Sequence, residues 1–106
     1  MIEVNKENFE AEVLQAPGAV LVDFWSEKCE PCMALVPDIE QLAAKYAAGM
    51  KFCKLNVLEN RRLSIGPKVL GLPTIIVYKN GEKAAELTKD EATAANIEAM
   101  IKGQIE

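Results

Sequence analysis

The run Ala19-Val20-Leu21-Val22-Asp23-Phe24-Trp25 is apolar at nearly every position, and a few residues later come Cys29-Glu30-Pro31-Cys32 and a helical pattern. A strand that is apolar on both sides of its pleat is covered on both faces, so this chain must build layers on either side of a sheet. Beyond the cysteines, Leu35, Ile39, Leu42 and Tyr46 recur at spacings of 4, 3 and 4. This is the buried stripe of a helix from about Pro31 to Tyr46, in which Pro37 is expected to make a kink. A strand leading in and a helix leading out put Cys29 at a helix N-terminus. Unsatisfied N–H groups and the helix dipole favour a thiolate there, and the thiolate is the reactive form of cysteine. Two cysteines this close can form a disulfide locally, but so short a loop stabilises a fold by only about 2 kcal/mol before strain. The pair therefore reads as thiol–disulfide chemistry, not as a structural staple.

The remaining elements follow from local patterns. Ile2-Glu3-Val4 reads as a short strand, and Asn5 as the cap of a helix through about Leu14, with Phe9 and Val13 on one face. Ala16-Pro17-Gly18 breaks that helix, and Gly49 ends the next one. Lys51 to Asn56 reads as a strand, and a short helix is expected from Glu59 to Ile65, stopped by Gly66-Pro67. Thr74-Ile75-Ile76-Val77-Tyr78 carries the strongest β signal. Asn80-Gly81 then predicts a hairpin turn, with a returning strand from Lys83 to Leu87. Asp90 is the expected cap of a last helix through about Lys102, with Ile97, Met100 and Ile101 inward. The order β-α-β-α-β-α-β-β-α predicts an α/β fold: a mixed sheet between helical layers, in one domain spanning residues 1–106. Half of the 106 residues are apolar, enough to build a core without disulfide support.

The chain has three cysteines and no histidine. An odd count makes a poor disulfide framework, and it also falls short of the four ligands that tetrahedral zinc takes. Half of a zinc site is thus the disfavoured reading of Cys29 and Cys32, and no metal is expected. Cys53 lies in a strand and reads as a core residue. Asp23 stands alone in an apolar strand, which points to function. Lys54 is ambiguous, since a strand lysine commonly points to water. No basic, then long apolar, N-terminal stretch suggests a signal peptide, and no segment has the length of a membrane span, so a cytoplasmic location is expected. A net charge of −4 argues against nucleic acid as partner, and Arg61-Arg62 reads as a solvated helix face.

Taken together, Val22-Asp23-Phe24-Trp25, the two cysteines, Pro37, Lys54-Leu55-Asn56, Gly71-Leu72-Pro73-Thr74 and Asn80-Gly81 resemble the thioredoxin family over essentially the whole chain. The resemblance implies the thioredoxin fold, with a mixed five-stranded central sheet flanked by about four helices. It implies Cys29 as the exposed attacking cysteine, Cys32 as the buried resolving one, Asp23 as a buried acid beneath them and Lys54 as its partner. Pro73 would be a cis-proline facing the cysteines, and Leu72 would offer its backbone to an extended client. Gly71, Trp25, Lys28, Glu30 and Pro31 complete the implied substrate surface, and Leu70, Leu72, Trp25 and Met33 are candidates for an apolar rim. The implied activity is reversible reduction of protein disulfides. No cofactor is bound, and electrons come from a flavoprotein thioredoxin reductase; a monomer is the default expectation. Alternatives are a dithiol oxidant or isomerase, and a non-catalytic adaptor of the same fold.

The chain departs from the family's usual Trp-Cys-Gly-Pro-Cys-Lys, having Lys28-Cys29-Glu30-Pro31-Cys32-Met33 instead. The glycine usual after the hairpin falls near Lys89. These changes put partner choice, more than chemistry, in question. The motif region, Arg61-Arg62-Leu63 and Thr88-Lys89-Asp90 are similar to the glycine-reductase-associated members of the family in amino-acid-fermenting anaerobes. That likeness implies clients in a glycine reductase system or of peroxiredoxin type.

Overall fold

The computed structural model describes residues 1–60 and 71–105. The expected helix over 59–65, the Arg61-Arg62 pair and Leu70 lie wholly or largely outside those residues. Five strands form one sheet: β1 (Ile2–Val4), β2 (Ala19–Trp25), β3 (Lys51–Asn56), β4 (Thr74–Lys79) and β5 (Glu82–Thr88), in the order β1-β3-β2-β4-β5. β3 runs parallel to both β1 and β2, whereas β4 is antiparallel to β2 and β5 to β4. Three helices accompany the sheet among the described residues: α1 (Glu10–Leu14, a single π-type turn), α2 (Glu30–Tyr46) and α3 (Ala94–Ile105). This is the mixed five-stranded α/β sheet expected, with three helices described where about four were expected.

β2 sits in the middle, and its alternating side chains divide the core in two. Val20, Val22 and Phe24 face Phe9 and Val13, together with Cys53, Leu55, Ile76 and Tyr78. Phe9 meets the Phe24 ring at 6.4 Å and the Tyr78 ring edge-on at 6.0 Å, which anchors the α1 segment to this face. Leu21 faces the other way, toward Ile39 and Leu42 of α2 and Ile97 and Ile101 of α3. Ile97 and Ile101 are fully buried, each contributing about 2–3 kcal/mol of apolar transfer. The periodicity of α2 is borne out: Ile39 and Leu42 are buried, and Leu35 and Tyr46 pack at the margin. Asp23 lies on this α2–α3 face, between Leu21 and Trp25.

Two helix starts differ from expectation. Asn5 does cap a turn, its Oδ1 accepting from the N–H groups of Glu7 and Asn8, but regular helix begins only at Glu10. Asp90 is not the cap of α3. Thr88 and Glu91 form a reciprocal capping box around a 3₁₀ turn, Lys89–Glu91, and Thr93 Oγ1 accepts from Asn96 N–H at the true start of α3. The hairpin is as predicted: Asn80 and Gly81 both have positive φ, 53° and 85°. Glycine is required at Gly81 for a second reason, since a Cβ there would strike the Leu14 carbonyl.

Candidate redox site

The site forms where β2 ends and β4 begins. Phe24 pairs with Thr74, so the segments just beyond them, leading to Cys29 and back to Pro73, leave the sheet at the same end. Between Trp25 and α2 the chain turns tightly. Ser26 Oγ accepts from Lys28 N–H at 3.1 Å, Ser26 C=O accepts from Cys29 N–H at 3.1 Å, and Asn56 Nδ2 donates to Glu27 Oε1 at 2.7 Å. Ser26 and Asn56 are buried. These three residues hold the loop that delivers Cys29. They were not among the expected site residues, although Ser-Glu-Lys after a strand carries a turn signal.

Cys29 is the N-cap of α2, and its Sγ accepts from Cys32 N–H at 3.2 Å. Glu30 and Pro31 occupy the first turn; a proline is well placed there because its missing N–H would have had no helical partner. Cys29 and Cys32 are joined in a disulfide with Cα atoms 5.2 Å apart. Cys29 is partly exposed, whereas Cys32 retains 1 % of its surface. Lys28, Glu30 and Pro31 are exposed beside them, and Met33 follows with 44 % exposure. Cys53 points to the opposite face of the sheet, where burial pushes its thiol up to about 11. It is a core residue, as expected. The disulfide, and the separation of Cys53 from it, leave no zinc-like cysteine cluster, and among the described residues no three His, Cys, Asp or Glu side chains converge.

Asp23 is 5 % exposed, and burial raises its carboxyl from 3.8 to about 7, with the Lys54 charge pulling in the opposite direction. Desolvation wins. Asp23 and Lys54 are direct register partners on β2 and β3. Yet the ammonium lies over the Trp25 ring, 5.9 Å from its centroid. A groove of about 560 Å³ opens along α2, with Asp23, Trp25 and Lys54 on the sheet side, Met33, Val36 and Ile39 on the helix side, and Met1 and Glu40 also lining it. Met1 and Glu40 carry no sequence signal, because the groove joins residues remote in the chain. Met33 and Trp25 thus share one surface, while Leu72 packs against the opposite core.

Just ahead of β4, the Leu72–Pro73 peptide bond is cis. The segment is fixed on both sides: Thr74 Oγ1 donates to Gly71 C=O at 2.6 Å, and Lys89 N–H donates to Pro73 C=O at 2.8 Å. Lys89, near which the family's usual glycine is expected, adopts a left-handed φ of 54° with its aliphatic stem lying against Gly71.

The thioredoxin family model matches residues 1–103. The chain is 58 % identical to a thioredoxin of Acetoanaerobium sticklandii over 105 residues, covering 99 % of this chain and 100 % of that protein. It is 55 % identical to a thioredoxin of Peptoclostridium acidaminophilum over 101 residues (95 % and 92 % covered), and 37 % identical to one of Pseudomonas aeruginosa over 98 residues (89 % and 91 %). The first two sources are amino-acid-fermenting Clostridia, the group the sequence resemblance named. Thioredoxins carry electrons on a redox-active disulfide and need no bound cofactor; a thioredoxin reductase supplies them, and disulfide-containing clients receive them. With a matching fold, an N-capping cysteine disulfide and relatives at this identity, the chain belongs to the thioredoxin family and is a protein-disulfide oxidoreductase working through Cys29 and Cys32.

Proposed function

We propose that residues 1–106 act as a single cytoplasmic, monomeric domain that reduces client disulfides in a fixed order of steps. Cys29 thiolate attacks one sulfur of a client disulfide, forming a mixed disulfide and releasing the other client sulfur as a thiolate. Cys32 then loses its proton and attacks Cys29 Sγ, which releases the second client thiolate and leaves the Cys29–Cys32 disulfide. Two electrons pass to the client, and a flavoprotein thioredoxin reductase returns two. The observation that carries this order is the contrast between a partly exposed Cys29 at the α2 N-terminus and a buried Cys32.

Asp23 is the proton acceptor for Cys32, directly or through water. A carboxyl at about 7 is matched to that task near neutral pH, where both its forms are populated. Lys54 moderates its proton affinity. The cis Leu72–Pro73 segment with Gly71 provides backbone for an extended client, and Trp25, Lys28, Glu30 and Pro31 form the surrounding surface. Lys28 and Glu30 are exposed, so each changes Cys29 by only about a few tenths of a kcal/mol, their opposite charges offset, and both act mainly in docking. The similarity to thioredoxins of amino-acid-fermenting Clostridia supports clients in a glycine reductase system or of peroxiredoxin type.

Insulin-disulfide reduction with dithiothreitol tests this reading. Cys29→Ser is expected to lose the catalysed rate entirely. An unchanged rate would leave the chain a binding adaptor.

A further inference from the structure

Asp23 and Lys54 are register partners on neighbouring parallel strands, which lie about 4.8 Å apart, so they are placed to form an ion pair. They do not. The close ion pairs among the described residues are Lys45–Glu98, Lys51–Glu12 and Lys83–Glu86, and Asp23 takes part in none of them. The Lys54 ammonium instead lies over the indole of Trp25, two residues along β2 on the same face. That places the ammonium over the electron-rich ring face, while the indole N–H is buried with no hydrogen-bond partner among the described residues.

We propose that Trp25 is a positioning residue: its ring face holds the Lys54 ammonium away from the Asp23 carboxyl and leaves that acid unpaired on the groove floor. The physical reason is a competition for one cation. A buried carboxyl that carries its proton offers the ammonium no charge, whereas the ring face attracts it in every protonation state. An ammonium paired with Asp23 would hold the acid ionised and remove its capacity to take up a proton. The bearing on turnover rests on the proton-acceptor role given above to Asp23, but the geometry itself does not depend on that role.

Besides Lys54, the charged groups that line the groove with Asp23 are Glu40 of α2 and the Met1 segment ahead of β1; Ile75, its β4 partner, carries no charge. Cys32 titrates only in the dithiol form. A test must change the ring and leave these groups alone. Trp25 is the chain's single tryptophan, so biosynthetic incorporation of mono-, di- and trifluorotryptophan alters this ring and no other. Fluorine withdraws electron density from the face while keeping the shape of the side chain.

The readout is the Asp23 titration midpoint by carboxyl-carbon NMR on the oxidised protein, which is independent of turnover. The midpoint is expected to fall stepwise with fluorination, by about 0.5 pH unit across the series, as Lys54 is released toward the acid. In Lys54→Met the same series is expected to produce no fall. An unmoved midpoint in the parent protein would overturn the proposal, and so would an equal fall in Lys54→Met. Insulin reduction measured alongside separates the two claims: a stepwise fall in midpoint without change in rate would retain the positioning role and remove Asp23 from the mechanism.

Discussion

Replacing Asp23 by Asn should remove a large pH dependence from the stability of the oxidised protein. The carboxyl titrates at 3.8 when unfolded and at about 7 in the fold, because burial penalises its charged form more than Lys54 favours it. Between those values the folded state holds a proton that the unfolded state has lost. Stability therefore falls as pH rises from about 4, and it levels off above 7. The full difference is worth about 4 kcal/mol at ~1.4 kcal/mol per pH unit. Because the unfolded carboxyl is already mostly ionised at pH 5, roughly 3 kcal/mol of that loss should fall between pH 5 and pH 8.5. The assay is urea unfolding of the parent and of Asp23→Asn at several pH values in that range, comparing midpoints at equal m. Other titrating groups act on both proteins, so the difference between them isolates Asp23. It should grow in favour of the variant by roughly 3 kcal/mol with rising pH and flatten above pH 8. A difference that is constant with pH would refute the burial argument.

Other outcomes follow from the same geometry. With its thiol pushed up to about 11 and no exposed surface, Cys53 should resist alkylation at pH 8. Mass spectrometry of the reduced native protein should therefore find Cys53 unlabelled, and labelled only after unfolding. Exchanging the charges of Lys28 and Glu30 should alter the rate with a protein client more than with a small disulfide; equal changes would remove their docking role. Lys89→Gly should stabilise the fold by about 0.5–1 kcal/mol in urea unfolding, since it relieves a left-handed lysine at some cost in unfolded-chain entropy.

Strong local patterns made most of the fold legible. The apolar run of β2, the stripe Leu35-Ile39-Leu42-Tyr46 and the Asn80-Gly81 turn each specify one structure at short range, and each is found in place. The start of α3 was misplaced because two capping signals compete within six residues. Thr88 with Glu91 closes a separate turn, so the helix waits for Thr93. At the site, the cysteines, Asp23, Lys54 and the proline segment were visible in the sequence as single residues or motifs. The groove was not, because it is made by Met1, Trp25, Glu40 and Lys54 meeting from the segment ahead of β1, β2, α2 and β3. Nor was the loop support from Ser26, Glu27 and Asn56, which depends on where β3 ends relative to β2. The orientation of Lys54 toward Trp25 also required the register.

The division of labour between the two cysteines is the centre of the account, and trapping tests it most directly. Reduced Cys32→Ser and Cys29→Ser proteins would each be passed through a matching cell extract and the bound proteins identified by non-reducing mass spectrometry. Cys32→Ser should accumulate mixed disulfides through Cys29 that persist until a reductant is added. Cys29→Ser should accumulate few or none, because Cys32 is buried. Equal trapping by the two variants, or trapping through Cys32 alone, would contradict the assignment of Cys29 as the attacking thiol.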